Sequence, residues 1–382
     1  RVRRALLCVS VTVGHGALFV TPLGQAIEGQ ARDTWFALRG QRPASEHITI
    51  VRVDVPTYRM VGISPSERLP RDILAKAIRR ISSDGPKLII LDFLLEAESE
   101  SKTADLDLAE TLAATNTWVA RTWEVLMDTD AKGQQTARQV IKDPIPLFAE
   151  KAKGSVFLMS TLSSRGLVEE LELRDFKTRQ IMPPPLKLPL QQAFGDSVGT
   201  PEERSLINFF GAPGSLTSLS LADLLSDQPL DPAYFRNRVV FIGMMVDARV
   251  GLTQFYDVHR VAFGHSSMWG VEIQATIAAN LIEKNWVRRA DFPLEAGALS
   301  TLAFCATFLL ATVSIALASA LVVAIAALWS IAVFYLFVAF NCSIPGATLF
   351  FVLLPLAVAL RVLSYSLVKW REARRFRIQR AA

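Results

Sequence analysis

"DGPKLIILDFLLEAE", Asp84 to Glu98, decides how the middle of this chain folds. A turn signal, Asp84-Gly85-Pro86, opens onto the unbroken apolar run Leu88 to Leu91, which ends in Asp92 with Glu96 close behind. A short apolar run bounded by turn residues reads as a strand buried on both faces, the kind that parallel sheets use. The stretch ahead of it, "PRDILAKAIRRI" (Pro70 to Ile81), has helical spacing. Ile73, Ala77, Ile78 and Ile81 share a face, and Pro70 stands at an early helical position.

The same alternation continues in both directions. Strands are expected at Ile48–Asp54, Lys87–Phe93, Thr117–Arg121, Ser155–Ser160, Leu206–Gly211 and Arg238–Met244, where Val, Ile and Phe cluster between turn residues. "DLAETLAAT" (Asp107 to Thr115) and "SLADLLSD" (Ser220 to Asp227) fall between them with helical spacing. Alternating strands and helices predict an α/β domain of three layers with a mostly parallel sheet. Between Glu170 and Ser205 the chain is polar and contains "MPPPLKLP". Three consecutive prolines exclude a helix interior or central strand, so this is a long surface connection.

The ends have a different chemistry. Of the 382 residues 51% are hydrophobic and 20% charged, a mixture that fits neither an ordinary soluble protein nor an all-membrane one. The apolar residues gather in "ALLCVSVTVGHGALFVTP" (Ala5 to Pro22) and in a nearly charge-free belt from Ala296 to Leu360. A bilayer core takes about 20 apolar helical residues. Four crossings are therefore predicted: Ala5–Pro22, Ala296–Ala318, Ala320–Phe340 and Ala347–Val368, with "NCSIPG" (Asn341 to Gly346) as a turn and "SIALASA" (Ser314 to Ala320) as a link. The net charge of +5 sits at the two tips, in Arg1, Arg3 and Arg4 and in the tail from Lys369 to Arg380. Flanking positive charge marks the cytoplasmic side and is no sign of nucleic acid. The expected division is a transmembrane helix over 1–23, an extracytoplasmic domain over 24–292, three transmembrane helices over 293–368 and a basic cytoplasmic tail over 369–382. The setting is a bacterial inner membrane with residues 24–292 periplasmic or extracellular. Inside the spans, His15 between two glycines reads as close helix packing, Arg361 as a side chain reaching for the cytoplasmic surface, and Pro355 as a kink.

Chemistry-bearing motifs are sparse. "FIGMMVD" offers one glycine after a strand, without a phosphate-cradling glycine pattern, and no nucleophile elbow is present. The three cysteines all lie in or beside apolar segments, which leaves none for a thiolate site in the middle domain. His259 and His265 read as surface residues without a third metal ligand at useful spacing. No cofactor and no enzymatic activity are expected. Acids do end several strands: Asp54, Asp92 with Glu96, and Asp247. The carboxyl ends of the strands of an open α/β sheet are where ligands bind, so these can converge on a pocket. Each can equally cap the turn or helix after it.

Taken in order, these features resemble the second type of CHASE domain, the cyclase/histidine-kinase-associated sensory extracellular domain, with three membrane spans behind it. "ARDTWFALRGQRPASEHITIVRVD" is similar to the family's D-x-x-F/L-x-x-R entry segment, proline and first strand. "ERLPRDILAKAI" is similar to its W-P-x-P-R helix start, with Leu69, Pro70 and Arg71 in the matching places. "DGPKLIILDFLLEAE" with "DLDLA" carries Asp92, Glu96 and Asp105. "LINFFGAPGSLTSLSLADLL", "FRNRVVFIGMMVD" and "WGVEIQATIAANLI" resemble the closing strands and the P-G-V-E-I-H-A-N helix. Trp269, Gln274 and Thr276 depart from that last pattern.

The resemblance implies a sensory input module whose outer domain binds an unknown small-molecule or protein signal. That state would pass through the spans to an output, such as an adenylate cyclase or a kinase, outside this chain. The candidate ligand-binding set is Asp54, Arg71, Asp92, Glu96, Asn208 and Asp247. Partners are the lipid bilayer and a homodimer or larger membrane assembly, with no nucleic acid. The alternative is a structural or accessory subunit that uses such a domain as a scaffold in a membrane complex.

Overall fold

The computed structural model describes residues 2–129, 135–158, 162–171, 184–231, 233–246, 257–264 and 266–381. The chain divides into two compact units, Gly40–Trp286 on the one hand and Arg1–Arg39 with Val287–Ala382 on the other. Two helices, α1 (Val2–Val20) and α2 (Pro22–Arg39), come first. The α/β unit then runs β1 (Ile48–Val53), α3 (Val55–Val61), α4 (Arg71–Ser82), β2 (Leu88–Leu94), α5 (Lys102–Ala114), β3 (Thr117–Thr129) and β4 (Gln135–Lys142). It continues through α6 (Pro146–Ala149), β5 (Gly154–Phe157), α7 (Lys187–Phe194), β6 (Ser218–Ser220), α8 (Leu221–Leu224), β7 (Val239–Met244), β8 (Val258–Arg260), β9 (Ser267–Trp269) and α9 (Gly270–Glu283). Helices α10 (Phe292–Thr312), α11 (Ile315–Phe340) and α12 (Leu354–Ala381) close the chain.

The sheet has the order β4-β3-β2-β7-β1-β6, with β5 paired to β3. Every pairing in it is parallel except β3 with β4. β7 lies between β1 and β2 and is buried along its length, which accounts for its unbroken apolar sequence. One core gathers Leu74, Ala77, Ile78 and Ile81 of α4 and Leu108 and Leu112 of α5 against Val51, Ile89, Leu91, Val240 and Ile242 of the sheet. Residues Gly270 to Leu281 of α9 are buried on every face, and the helix packs on β1 and β7. Gly243 makes that approach possible: a Cβ there would stand 2.6 Å from Cγ2 and 2.7 Å from Cβ of Val271. The lone glycine of "FIGMM" thus serves helix packing.

Two expectations for this unit need correction. Leu206–Gly211 forms no strand; it is a buried irregular segment whose one ladder-type pairing among the described residues is an isolated bridge from Leu206 to Glu170. The strand beside β1 is instead the short β6. The third strand does not stop at Arg121 but runs on to Thr129 in an antiparallel ribbon with β4. The alternation there is too weak in apolar residues to read as a buried strand. Of the expected strand at Ser155–Ser160, Gly154–Phe157 is extended and residues 159–160 lie outside the described residues.

In the helical unit, α10, α11 and the stretch Thr348–Arg374 are each long and apolar enough to cross a membrane; in α1 the apolar part, Cys8–Phe19, is shorter. The break between α10 and α11 falls at Val313 and Ser314, because Ser314 caps α11 through the N–H of Leu317. "SIALASA" is therefore the first turn of α11 and not a link. Phe36 is buried edge-on to Phe337 at 4.9 Å, with the Arg39 guanidinium over both rings. Arg361 bonds the carbonyls of Leu310 and Val313 at the end of α10, in place of the expected reach for the surface. Those carbonyls have no intrahelical partner, so the guanidinium acts as a C-cap supplied by another helix.

Gly243→Ala is expected to destabilise the α/β unit by about 1–3 kcal/mol, since Val271 has no room to withdraw. Denaturant unfolding of the two proteins side by side measures it.

Candidate functional site

A cleft of about 380 Å³ lies at the carboxyl ends of β7 and β2. Tyr58, Phe93, Leu94, Leu158, Met244 and Val271 give it an apolar lining, and Glu67, Arg68, Arg71, Asp92, Glu96 and Asp257 its charge. A wider groove continues from it along Glu67 to Asp72 toward Glu98–Ser101.

The strand geometry explains how Asp92 reaches this space. Leu91 pairs with Val119 and Leu94 with Ala120, so the register with β3 jumps over Asp92 and Phe93. Such irregularities re-aim side chains at the rim of a sheet. On its other side Asp92 stands opposite Gly243, where Val271 of α9 takes the place of a side chain. Among the described residues Asp92 has neither a hydrogen bond nor an ion pair. Desolvation lifts its carboxyl to about 8, and the nearby charge of Asp257 pushes the same way.

The other charges of the cleft are engaged. Glu96 pairs with Nζ of Lys142 at 3.3 Å, and Asp257 with Nε2 of His259 at 2.6 Å. Glu67 accepts from the N–H of Ser64. Arg71, nearly buried, lies 3.8 Å from Asp105 and over the ring of Phe148. Burial lowers the Arg71 pKa, Asp105 works against that, and the neighbouring Arg68 adds to it. Asp105 also accepts from the N–H of Ser99, which ties the start of α5 to the start of α4.

The structure therefore brings Arg71, Asp92 and Glu96 into one cleft and places other candidates elsewhere. Asp54 caps α3: its Oδ1 accepts from the N–H and Oγ1 of Thr57 and from Oγ of Ser220 at 2.8 Å. It binds the end of β1 to α3 and β6, and it does not line the cleft. Asn208 is fully buried in an amide network with Asn280 and Asn285 that fastens the irregular segment 206–211 to α9. Asp247 lies outside the described residues, as does His265.

Sequence reasoning missed Tyr58, Arg68, Asp257, Met244 and Val271. Only Tyr58 left a trace, one helical turn beyond the cap at Asp54. Glu272, also missed, is buried in α9 and holds the loop before β6 by accepting the N–H of Gly214 at 2.7 Å; desolvation raises its carboxyl to about 7. Among the described residues no three His, Cys, Asp or Glu side chains gather as a metal site.

A family model described as the CHASE2 domain matches residues 6–316. The chain belongs to the CHASE2 family. No curated relative and no solved structure matches it. The CHASE2 match runs from α1 through the α/β unit and α10 to the start of α11, so it takes in the cleft with Arg71, Asp92 and Glu96, and Asp105, the partner of Arg71.

A carboxyl near 8 in the folded CHASE2 domain, against 3.8 ordinarily, keeps a proton that the unfolded chain releases. Stability must then fall as pH rises between those two values. Asp92→Asn is expected to melt a few degrees above the parent at alkaline pH and to coincide with it at acid pH. Thermal melts across that range give the comparison.

Proposed function

We propose that this chain is a membrane-anchored sensory input module whose α/β unit binds a small-molecule signal in the cleft at the strand ends. It binds and does not turn over its ligand. The observation that carries this reading is Asp92: an unpartnered carboxyl open to an apolar-walled cleft stabilises a ligand better than it stabilises the empty fold. With Asp92 keeping its proton up to about pH 8, Glu96 and Asp257 already paired and Arg68 and Arg71 alongside, the cleft favours a ligand that meets the Asp92 carboxyl with hydrogen bonds, or a cation that binds it in its charged form. Family membership and the apolar helices support the sensory, membrane-anchored part of the reading.

In this reading the α/β unit has three layers and stands outside the cytoplasm of a bacterial inner membrane. α1 supplies the fourth crossing, and both termini lie in the cytoplasm. The basic residues at the two tips favour that orientation. A ligand that prefers one arrangement of the outer domain shifts a two-state equilibrium, which the spans pass to a cyclase or kinase output beyond this chain.

Two measurements test the proposal. Protease added to intact spheroplasts is expected to cut the α/β unit, and the same unit is expected to be protected in inverted vesicles; the reverse pattern rejects the placement. Melting of the intact, detergent-solubilised chain is then followed against a panel of small organic cations and matched anions. A ligand at a hundred times its Kd adds about 2.7 kcal/mol, and that stabilisation should vanish in Asp92→Asn. A chain that no compound stabilises and that purifies with one stoichiometric partner fits the scaffold role instead.

A further inference from the structure

Glu28, on α2, makes the densest set of contacts to a single carboxylate in the helical unit. Its Oε2 accepts the N–H of Gly346 at 2.8 Å and of Ala347 at 3.0 Å; its Oε1 accepts the N–H of Thr348 at 2.9 Å and the hydroxyl of Thr348 at 2.7 Å. These N–H groups open the helical run that continues to Ala381, so they are the donors a helix leaves unsatisfied at its start. Glu28 is thus an N-cap brought from another helix, and its charge faces the positive end of the helix dipole.

The first turns of the capped helix are wound in an unusual way. Thr348–Leu353 is π-helical and runs directly into α12. Wide turns of this kind are rare and hold an extra residue relative to an α-helix. Pro355 gives one reason for it here, because its ring would press on the carbonyl four residues back, that of Phe351, in a regular helix. The segment is also held from α11: Trp329 lies 5.0 Å from Phe350 and 5.8 Å from Phe351, and a Cβ at Gly346 would stand 2.9 Å from its indole nitrogen. Further along, Arg361 fixes α12 to the end of α10. The run 346–361 therefore has one end tied to α2 and the other to α10, with the wide turn between.

α2 ends at Arg39, and the next residue in the chain, Gly40, opens the α/β unit. We propose that Glu28 and the wide turn 348–353 form the coupling joint of the module. Glu28 holds the turn wide, and its withdrawal lets the extra residue be absorbed into regular helix. One residue is about 100° of helix rotation, which the rest of α12 must follow. This inference rests on the sensory reading for its purpose, but its test uses no ligand, so failure to find a signal for the cleft does not decide it.

The test is a nitroxide scan of the full chain in proteoliposomes, with Cys8, Cys305 and Cys342 replaced by serine and single cysteines placed in turn at positions 356–370. Oxygen accessibility oscillates with the helix period, and its phase reports which face of α12 is packed. Glu28→Ala is expected to shift that phase by about one residue, 100°. Deleting Val352 with Glu28 intact removes the extra residue itself, so residues 356–370, keeping their numbers, should hold the parent phase, and adding Glu28→Ala to the deletion should then change nothing. An unchanged phase in Glu28→Ala, or a deletion variant whose phase still moves with Glu28, overturns the joint. Where Glu28→Ala abolishes the periodicity, the deletion alone decides: the parent phase supports the proposal, because the wide turn has given up its extra residue, and a one-residue shift overturns it.

Discussion

Parallel pairing of β7 with both β1 and β2 is the constraint on which the α/β unit depends. The two early strands never touch; each is completed by a strand from late in the unit. That insertion sets Gly243 opposite Asp92. It also brings α9 onto the sheet through Val271, and with α9 come Asn280 and Glu272, which fasten the irregular segment 206–211 and the loop before β6. The cleft is thus a product of strand order, as expected where parallel strands end together.

The charged residues of the fold divide by how their hydrogen-bonding capacity is used. Asp54, Asp105 and Glu272 direct theirs to backbone N–H groups at helix starts and turns, and each fixes two elements together. Glu28 and Arg361 do the same in the helical unit, one at a helix start and one at a helix end. Asp92 differs in making no hydrogen bond or ion pair at all among the described residues while burial works against its charge. Groups of that kind mark sites where stability has been given up for binding.

Much of the α/β framework was legible because buried parallel strands are locally distinctive. "KLIILDF" and "RVVFIGM" carry their structure in six or seven apolar residues, and Pro70 announces α4. Leu206–Gly211 looked the same and is not a strand: its apolar residues are buried, but the side-chain amide of Asn280 accepts the N–H of Asn208 and donates to its carbonyl in place of a sheet neighbour. Local pattern reports burial and cannot report which partner supplies the hydrogen bonds. The site was legible in the same partial way. Asp92 and Glu96 follow a strand in sequence, whereas Asp257 and Val271 reach the cleft only through tertiary packing. Asp54 and Asp92 read alike as strand-end acids, and only the position of Ser220 and Thr57 separates a cap from a ligand-facing group.

The bond from Arg361 to the end of α10 has a consequence for how the helices enter a bilayer. An arginine near the middle of a lone apolar helix costs several kcal/mol on insertion scales. Here that cost is offset only when the carbonyls of Leu310 and Val313 are within reach, and these belong to a helix made earlier in the chain. Side by side, α10 and α12 thus satisfy with protein groups a guanidinium that either helix alone would leave to water or headgroups.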